Sequence, residues 1–295
     1  MNQNPIAVFD SGLGGLTVVR RLIRHLPAER IVYFGDTARV PYGIKSAETV
    51  ARFAEEDIEF LLGFKPKLII AACNTVSAAA LPRLKGRYSV PILGVVDPGA
   101  KAAVQKTRTG RIGVIGTEAT VASDAYRRCI TRLDPTLEVF SKACPLLVPI
   151  VEEGRTSRDP LVILALIEYL KSLKEAGIDT LVLGCTHYPL LKYAIREVMG
   201  GGIQIVDSAR ETAYEAAELL GASRAAPMPD TAAPMHHRFF ASDHPERFAL
   251  LGKRFLGQAI ESVELVQPEF LDGRYKLRAV GLTFTGVPVL AAQQA

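Results

Sequence analysis

Apolar runs of strand length alternate with helix-length stretches through most of this chain, and no other feature limits its fold as much. The runs are Ile6 to Phe9, Ile31 to Phe34, Leu68 to Ala72, Ile92 to Val95, Ile112 to Ile115, Leu137 to Phe140, Thr180 to Leu183 and Ile203 to Val206. Strands joined by helical crossovers pair in parallel, and a parallel sheet needs helices on both faces. The expected fold class is therefore α/β: two similar, open, mostly parallel-sheet lobes with pseudo-two-fold symmetry and an active site in the cleft between them. One crossover is amphipathic. Ile163, Leu166, Ile167, Leu170 and Leu173 recur at helical spacing, with Lys171, Lys174 and Glu175 on the other side.

Turn signals at Asp97-Pro98-Gly99 and at Asp207-Ser208 divide this alternation. Residues 1–97 with 208–268 are expected to form the first lobe and residues 98–207 the second, leaving 269–295 as a C-terminal extension without an assigned role. Arg238 to Ala241 and Ser262 to Val266 read as strands returning to the first lobe. Leu277 to Phe284 reads as an added edge strand, and the Ala- and Pro-rich Ala225 to Pro234 as an exposed loop.

Several function classes are disfavoured at this level. A net charge of +4 over 295 residues is mild, and no block or stripe of Lys and Arg argues for direct nucleic-acid contact. The longest apolar run, Leu161 to Ile167, is soon broken by Glu168, Lys171 and Lys174, short of the roughly 18 residues a membrane span needs. Met1 to Pro5 lacks the charged start and apolar stretch of a secretory signal, so the expected compartment is the cytoplasm. The cysteines, Cys73, Cys129, Cys144 and Cys185, show no CxxC spacing and are expected to be free thiols. Cys129 and Cys144 read as small core fillers.

Cys73 and Cys185 stand apart. Each follows a strand-like run directly, and each is followed by a small polar residue and an expected helix start: Cys73-Asn74-Thr75 and Cys185-Thr186-His187. The carboxyl ends of parallel strands are where open α/β sheets build their ligand crevices. A thiol at a helix N-terminus is expected to have a depressed pKa. Two thiols facing one cleft suit inversion of a carbon centre, which needs a base on one face and an acid on the other. Asn74, Thr75, Thr186 and Ser11 are candidate donors to the developing carbanion and its carboxylate. Asp10, His187 and Glu152 are candidate helpers behind the thiols. No metal site is expected, since only His187 lies near either thiol in sequence.

The loop Asp10-Ser11-Gly12-Leu13-Gly14-Gly15 follows a strand and opens a helix, but the third glycine of a dinucleotide fingerprint would fall at Thr17. Its backbone amides can still be aimed at a carboxylate. Gly35-Asp36-Thr37 with Pro41-Tyr42-Gly43 is a second turn-rich loop after a strand. Bland readings stand beside these: inert buried thiols, Asp10 as a helix cap, His187 as a core histidine, Glu152 on a solvated face, and the second loop as scaffolding.

Ala7-Val-Phe-Asp-Ser-Gly-Leu-Gly-Gly15, Gly35-Asp-Thr37, Pro41-Tyr-Gly43, Ala72-Cys-Asn-Thr75, Val148-Pro-Ile-Val-Glu-Glu-Gly154 and Gly184-Cys-Thr-His-Tyr-Pro189 together resemble the signatures of bacterial glutamate racemases. The resemblance runs in order from about Ile6 to Val266. It implies cofactor-independent interconversion of L- and D-glutamate, which supplies peptidoglycan synthesis. By that resemblance Cys73 takes the α-proton from the D-enantiomer and Cys185 from the L-enantiomer, with Asp10, Glu152 and His187 assisting. Asp10, Ser11, Pro41, Tyr42, Gly43, Asn74, Thr75, Thr117, Thr186 and His187 fall on substrate-binding positions. A homodimer is implied, as are a cell-wall precursor as effector and a DNA gyrase contact in some relatives. An aspartate racemase of the same two-thiol group and a non-catalytic two-lobed binding protein remain alternatives.

Overall fold

The computed structural model describes residues 4–222, 236–271 and 274–285. The expected loop Ala225 to Pro234 and the chain beyond Thr285 lie outside the described residues. The strands are β1 (Ile6–Asp10), β2 (Ile31–Gly35), β3 (Leu68–Ala71), β4 (Ile92–Gly94), β5 (Arg111–Gly116), β6 (Glu138–Ala143), β7 (Thr180–Gly184), β8 (Gln204–Asp207), β9 (Arg238–Ala241), β10 (Ser262–Leu271) and β11 (Arg274–Thr285). They form a seven-stranded sheet in the order β11-β10-β9-β2-β1-β3-β4 and a four-stranded sheet in the order β6-β5-β7-β8. Neighbouring strands run parallel, except for the antiparallel pair β10 and β11. The sheets differ in size because β9, β10 and β11 extend only the first.

β1, β2, β3 and β7 are buried along their whole length. That is why they read as continuous apolar runs rather than alternating ones. In the first sheet the chain goes from β1 out to β2, then returns past β1 to β3; in the second it goes from β5 to β6, then back to β7. Each sheet therefore has a topological switch point, between β1 and β3 and between β5 and β7. A crevice opens at the carboxyl ends of strands at such a point.

One apolar core runs from beneath β1 and β3, past Ala209 and Ala213, into the second lobe through Leu147, Ile150 and Tyr188. The helix Ser208–Leu219 packs on both Leu16–His25 and Val96–Lys106, tying the lobes together behind the cleft. The amphipathic helix forms over Pro160–Glu175, and its buried face is Val162, Leu166, Leu170 and Leu173. Ile167, expected inside, is 51% exposed. The steps 162, 166, 170 and 173 follow the helical period from Val162, and Ile167 falls one position off that stripe.

Candidate active site

Cys73 leaves β3 as the N-cap of the helix Asn74–Ala79. Cys185 leaves β7 differently, because a 3-10 turn at Tyr188–Leu191 and then the helix Lys192–Met199 follow. The expected helix start after Cys185 and Thr186 comes at Tyr188, as a 3-10 turn with His187 at its N-cap. Pro189 has no N–H and fits only the first turn of a helical segment, so it fixes the start just before itself. Both thiols are buried and free. They lie close enough that charge on Cys185 acts on Cys73.

The neighbours of the two sulfurs differ. Cys73 Sγ donates to Ser11 Oγ at 3.8 Å. Burial pushes the Cys73 thiol up to about 12, Asp10 adds to this, and the Val76 amide and Ser11 oppose it. The expected depressed pKa is thus overturned at Cys73, since desolvation outweighs a short helix's N-terminal field. On the other side His187 Nδ1 lies 3.9 Å from Cys185 Sγ. His187 Nε2 pairs with Glu152 Oε1 at 2.8 Å. Burial alone lowers the His187 pKa, but the bonds to Cys185 and Glu152 more than reverse this and raise it to about 10. Burial likewise works against ionised Glu152, and the His187 bond and charge overcome it, holding the carboxyl below its usual range.

Asp10, at the end of β1, accepts from the Gly12 amide at 3.0 Å and from Thr186 Oγ1 at 3.5 Å. Burial raises its pKa, against the charge of His187 and the amides of Gly15 and Gly12. The glycine loop serves close packing: a Cβ at Gly14 would stand 2.0 Å from Thr186 Oγ1 and 2.7 Å from His187 Nδ1. Only glycine lets the Cys185 loop approach so near.

Donors line the same cleft. Tyr126 donates to Asn74 Oδ1 at 2.6 Å, which leaves Asn74 Nδ2 buried without a partner. An unpaired buried amide is costly, so a site for an acceptor is built beside Cys73. Thr75 Oγ1 lies 2.9 Å from Thr117 Oγ1, which lies 2.9 Å from Thr120 Oγ1, a hydroxyl chain from the first lobe to the second. A Cβ on Gly43 would stand 2.6 Å from Thr117 Cβ, so the Pro41–Gly43 loop also closes on the second lobe. Among the described residues no group of three or more His, Cys, Asp or Glu is placed to hold a metal ion.

The family model for Asp/Glu/hydantoin racemases matches residues 6–216. The chain belongs to that family. It is 50% identical over 269 residues to a glutamate racemase of Geobacter metallireducens, covering 91% of this chain and 98% of that protein. Among solved structures it is similar to a glutamate racemase isoform of Bacillus anthracis, with a TM-score of 0.83 at 42% identity, covering 90% of this chain and 98% of the other. It is also similar to the glutamate racemase of Francisella tularensis in complex with D-glutamate, with a TM-score of 0.81 at 35% identity and the same coverage.

In this racemase the structure gathers Asp10, Ser11, Asn74, Thr75, Thr117, Glu152, Thr186 and His187 around Cys73 and Cys185 through the contacts above. Tyr42 stands differently. Its hydroxyl donates to Asp36 and faces Asp57, so it is engaged beneath the loop rather than toward the thiols. Cys144 is buried as expected, whereas Cys129 does more than fill space, donating to Asp97 Oδ1 at 3.2 Å. Sequence alone does not mark Tyr126, Thr120 or Asp57 as residues near the site. Asp57 left a trace there: it falls on the apolar stripe of the helix Ala47–Leu62, with Val50, Ala54, Ile58 and Leu61. A carboxylate on such a stripe requires a partner.

Proposed function

We propose that this chain is a glutamate racemase that interconverts L- and D-glutamate by proton transfer between two thiols, without metal or other cofactor. The observation that carries this reading is the pair of buried free thiols at the switch points of separate sheets, one 3.8 Å from Ser11 Oγ and the other 3.9 Å from His187 Nδ1. In the L-to-D direction the Cys185 thiolate takes the α-proton, forming S–H as Cα–H breaks. Cys73 then delivers its proton to the opposite face of the carbanion. The enantiomer is released with the protonation of the two sulfurs exchanged, ready for the reverse reaction.

Surroundings support these starting roles. Burial keeps the proton on Cys73, and protonated His187 sets a cation beside Cys185. The unpaired Asn74 amide and the Thr75–Thr117 hydroxyls supply donors for a carboxylate whose charge builds in the transition state. The same proposal divides the lobes as residues 1–97 with 208–268 and residues 98–207, and extends to a homodimer, a cell-wall precursor as effector, a gyrase contact and a cytoplasmic setting. Among the described residues no helix is long and apolar enough to cross a membrane.

The test is incubation of purified protein with L-glutamate and, separately, L-aspartate, followed by chiral chromatography in the presence of chelator and reductant. D-glutamate formed without added cofactor is expected. Turnover of aspartate alone moves the substrate to the sister racemase, and no turnover of either supports a binding protein.

A further inference from the structure

Beneath the Pro41–Gly43 loop lies a cluster of charge that the proton transfers do not use. Asp36 and Asp57 are buried at 0% exposure. Arg39 bonds to both and to Glu56. One guanidinium therefore faces three carboxylates, and some of that negative charge must be neutralised by protons. Ser242 donates to Asp36 Oδ1 at 2.8 Å. Tyr42 donates to Asp36 Oδ2 and also lies 3.3 Å from Asp57 Oδ2. A phenol has one proton. Its hydroxyl points at both carboxylates, with the shorter bond to Asp36, so the longer contact gains a proton of its own when Asp57, as a neutral acid, donates to the phenol oxygen. Burial and then the charge of Asp36 hold the Asp57 carboxyl well above the usual range, against Arg39.

The cluster joins rigid parts to a working loop. Asp57 sits on the helix Ala47–Leu62, and Asp36 follows β2, its amide donating to Asp10 O at 3.0 Å. Between these anchors Arg39 and Tyr42 flank Pro41, and Gly43 then meets Thr117 of the second lobe.

We propose that Asp57 is a positioning residue: as a neutral acid it donates to the Tyr42 hydroxyl, which donates on to Asp36, and this chain fixes the Pro41–Gly43 loop where it closes the glutamate site against Thr117. The proposal rests on the racemase reading and deepens it by one residue that does not touch substrate.

Asp57→Asn and Asp57→Leu test it in the full-length protein. An Asn amide can donate to Tyr42 while its oxygen accepts from Arg39, so kcat and KM are expected within about threefold of wild type. Leu breaks the chain and is expected to raise KM by about tenfold with kcat changed less than about threefold, as loss of uniform substrate binding does. If the Leu variant does not fold, Tyr42→Phe removes the same link and carries the same expectation. Infrared spectra provide a separate readout: a protonated-carboxyl carbonyl band present in wild type at neutral pH and missing in Asp57→Asn. An Asn variant as damaged as Leu, an undamaged broken chain, or no such band overturns the proposal. The infrared outcome does not depend on turnover, so an inactive wild type sinks the racemase reading alone.

Discussion

At the end of β3 the Cys73 thiol faces Ser11 and the charge of Asp10, whereas at the end of β7 Cys185 faces His187 and, through it, Glu152. Both sulfurs leave buried parallel strands at equivalent switch points. An anion stands behind one and a cation behind the other. The strand-then-cysteine pattern thus places the two sulfurs, while their neighbours differ: burial and Asp10 hold the proton on Cys73, and a raised His187 is the partner of Cys185. One further constraint sharpens this comparison. Enantiomers have equal free energies in water, so kcat/KM must be equal in the two directions at every pH, whatever the asymmetry of the site. Differences between the halves can appear only in kcat and KM separately, in isotope effects and in stability.

Removing either sulfur gives the largest expected effect. Cys73→Ala and Cys185→Ala should each lower racemisation by about 10⁴-fold or more, because proton transfer to or from one face loses its only partner. Glutamate binding, followed by calorimetry, should survive in both. In deuterated water the wild-type protein should place solvent deuterium chiefly in the product enantiomer at early times. Equal early labelling of substrate and product would show one base serving both faces and would break the comparison at its root.

Next in size are the helpers. Asp10→Asn and His187→Asn should each reduce kcat/KM by about 10²-fold, and equally in both directions. The halves separate in the primary isotope effect with α-deuterated substrate. Asp10→Asn should raise it for D-glutamate, where Cys73 is the base, and His187→Asn for L-glutamate, where Cys185 is the base. A rise for the same enantiomer in both variants would mean that the charges behind the sulfurs are shared.

Most of this architecture is legible in the sequence because buried parallel strands carry an unbroken apolar signal, and the glycine loop and both cysteines follow such strands directly. The parts that are not legible depend on contacts distant in the chain. Nothing near Asn74 announces that Tyr126 will take its oxygen and free its amide. The Cys73 environment differs from the expectation for a similar reason: local sequence shows a helix start, which lowers a thiol pKa, but the burial that raises it comes from the core Cys73 joins with Phe9, Val32 and Tyr42, all distant in the chain. Tyr42 belongs to the loop that sequence points to, yet its hydroxyl is claimed by Asp36 and by Asp57 on the helix behind it.

A smaller effect tests the Cys185 half through pH. The His187 pKa is raised from 6.5 to about 10, so the stability from its pairing is present in full below 6.5 and is lost as pH rises through about 10. Glu152 is held below 4.5, so its share is present above that value and is lost on acidification. Glu152→Gln should therefore cost about 2 kcal/mol near pH 6, where both partners are charged. The difference in Tm between variant and wild type should narrow as pH climbs toward 10. A difference that stays constant over that range would mean that His187 is not protonated beside Cys185.

The smallest effect concerns the thiols away from the switch points. Burial pushes Cys144 up to about 12, as it does Cys73, so a raised pKa alone does not make a cysteine part of this site. What separates them is place. Cys144 follows β6, an edge strand of the second sheet, and its thiol donates to Lys142 O at 3.6 Å rather than facing a helper charge. Cys144→Ala should cost about 1 kcal/mol in lost packing and leave kcat and KM unchanged. Alkylation followed by peptide mass mapping should show glutamate protecting Cys73 and Cys185 and not Cys144. Protection of Cys144 by substrate would extend the cleft beyond β5 and β7, and the pairing of sulfurs by switch point would no longer explain which thiols react.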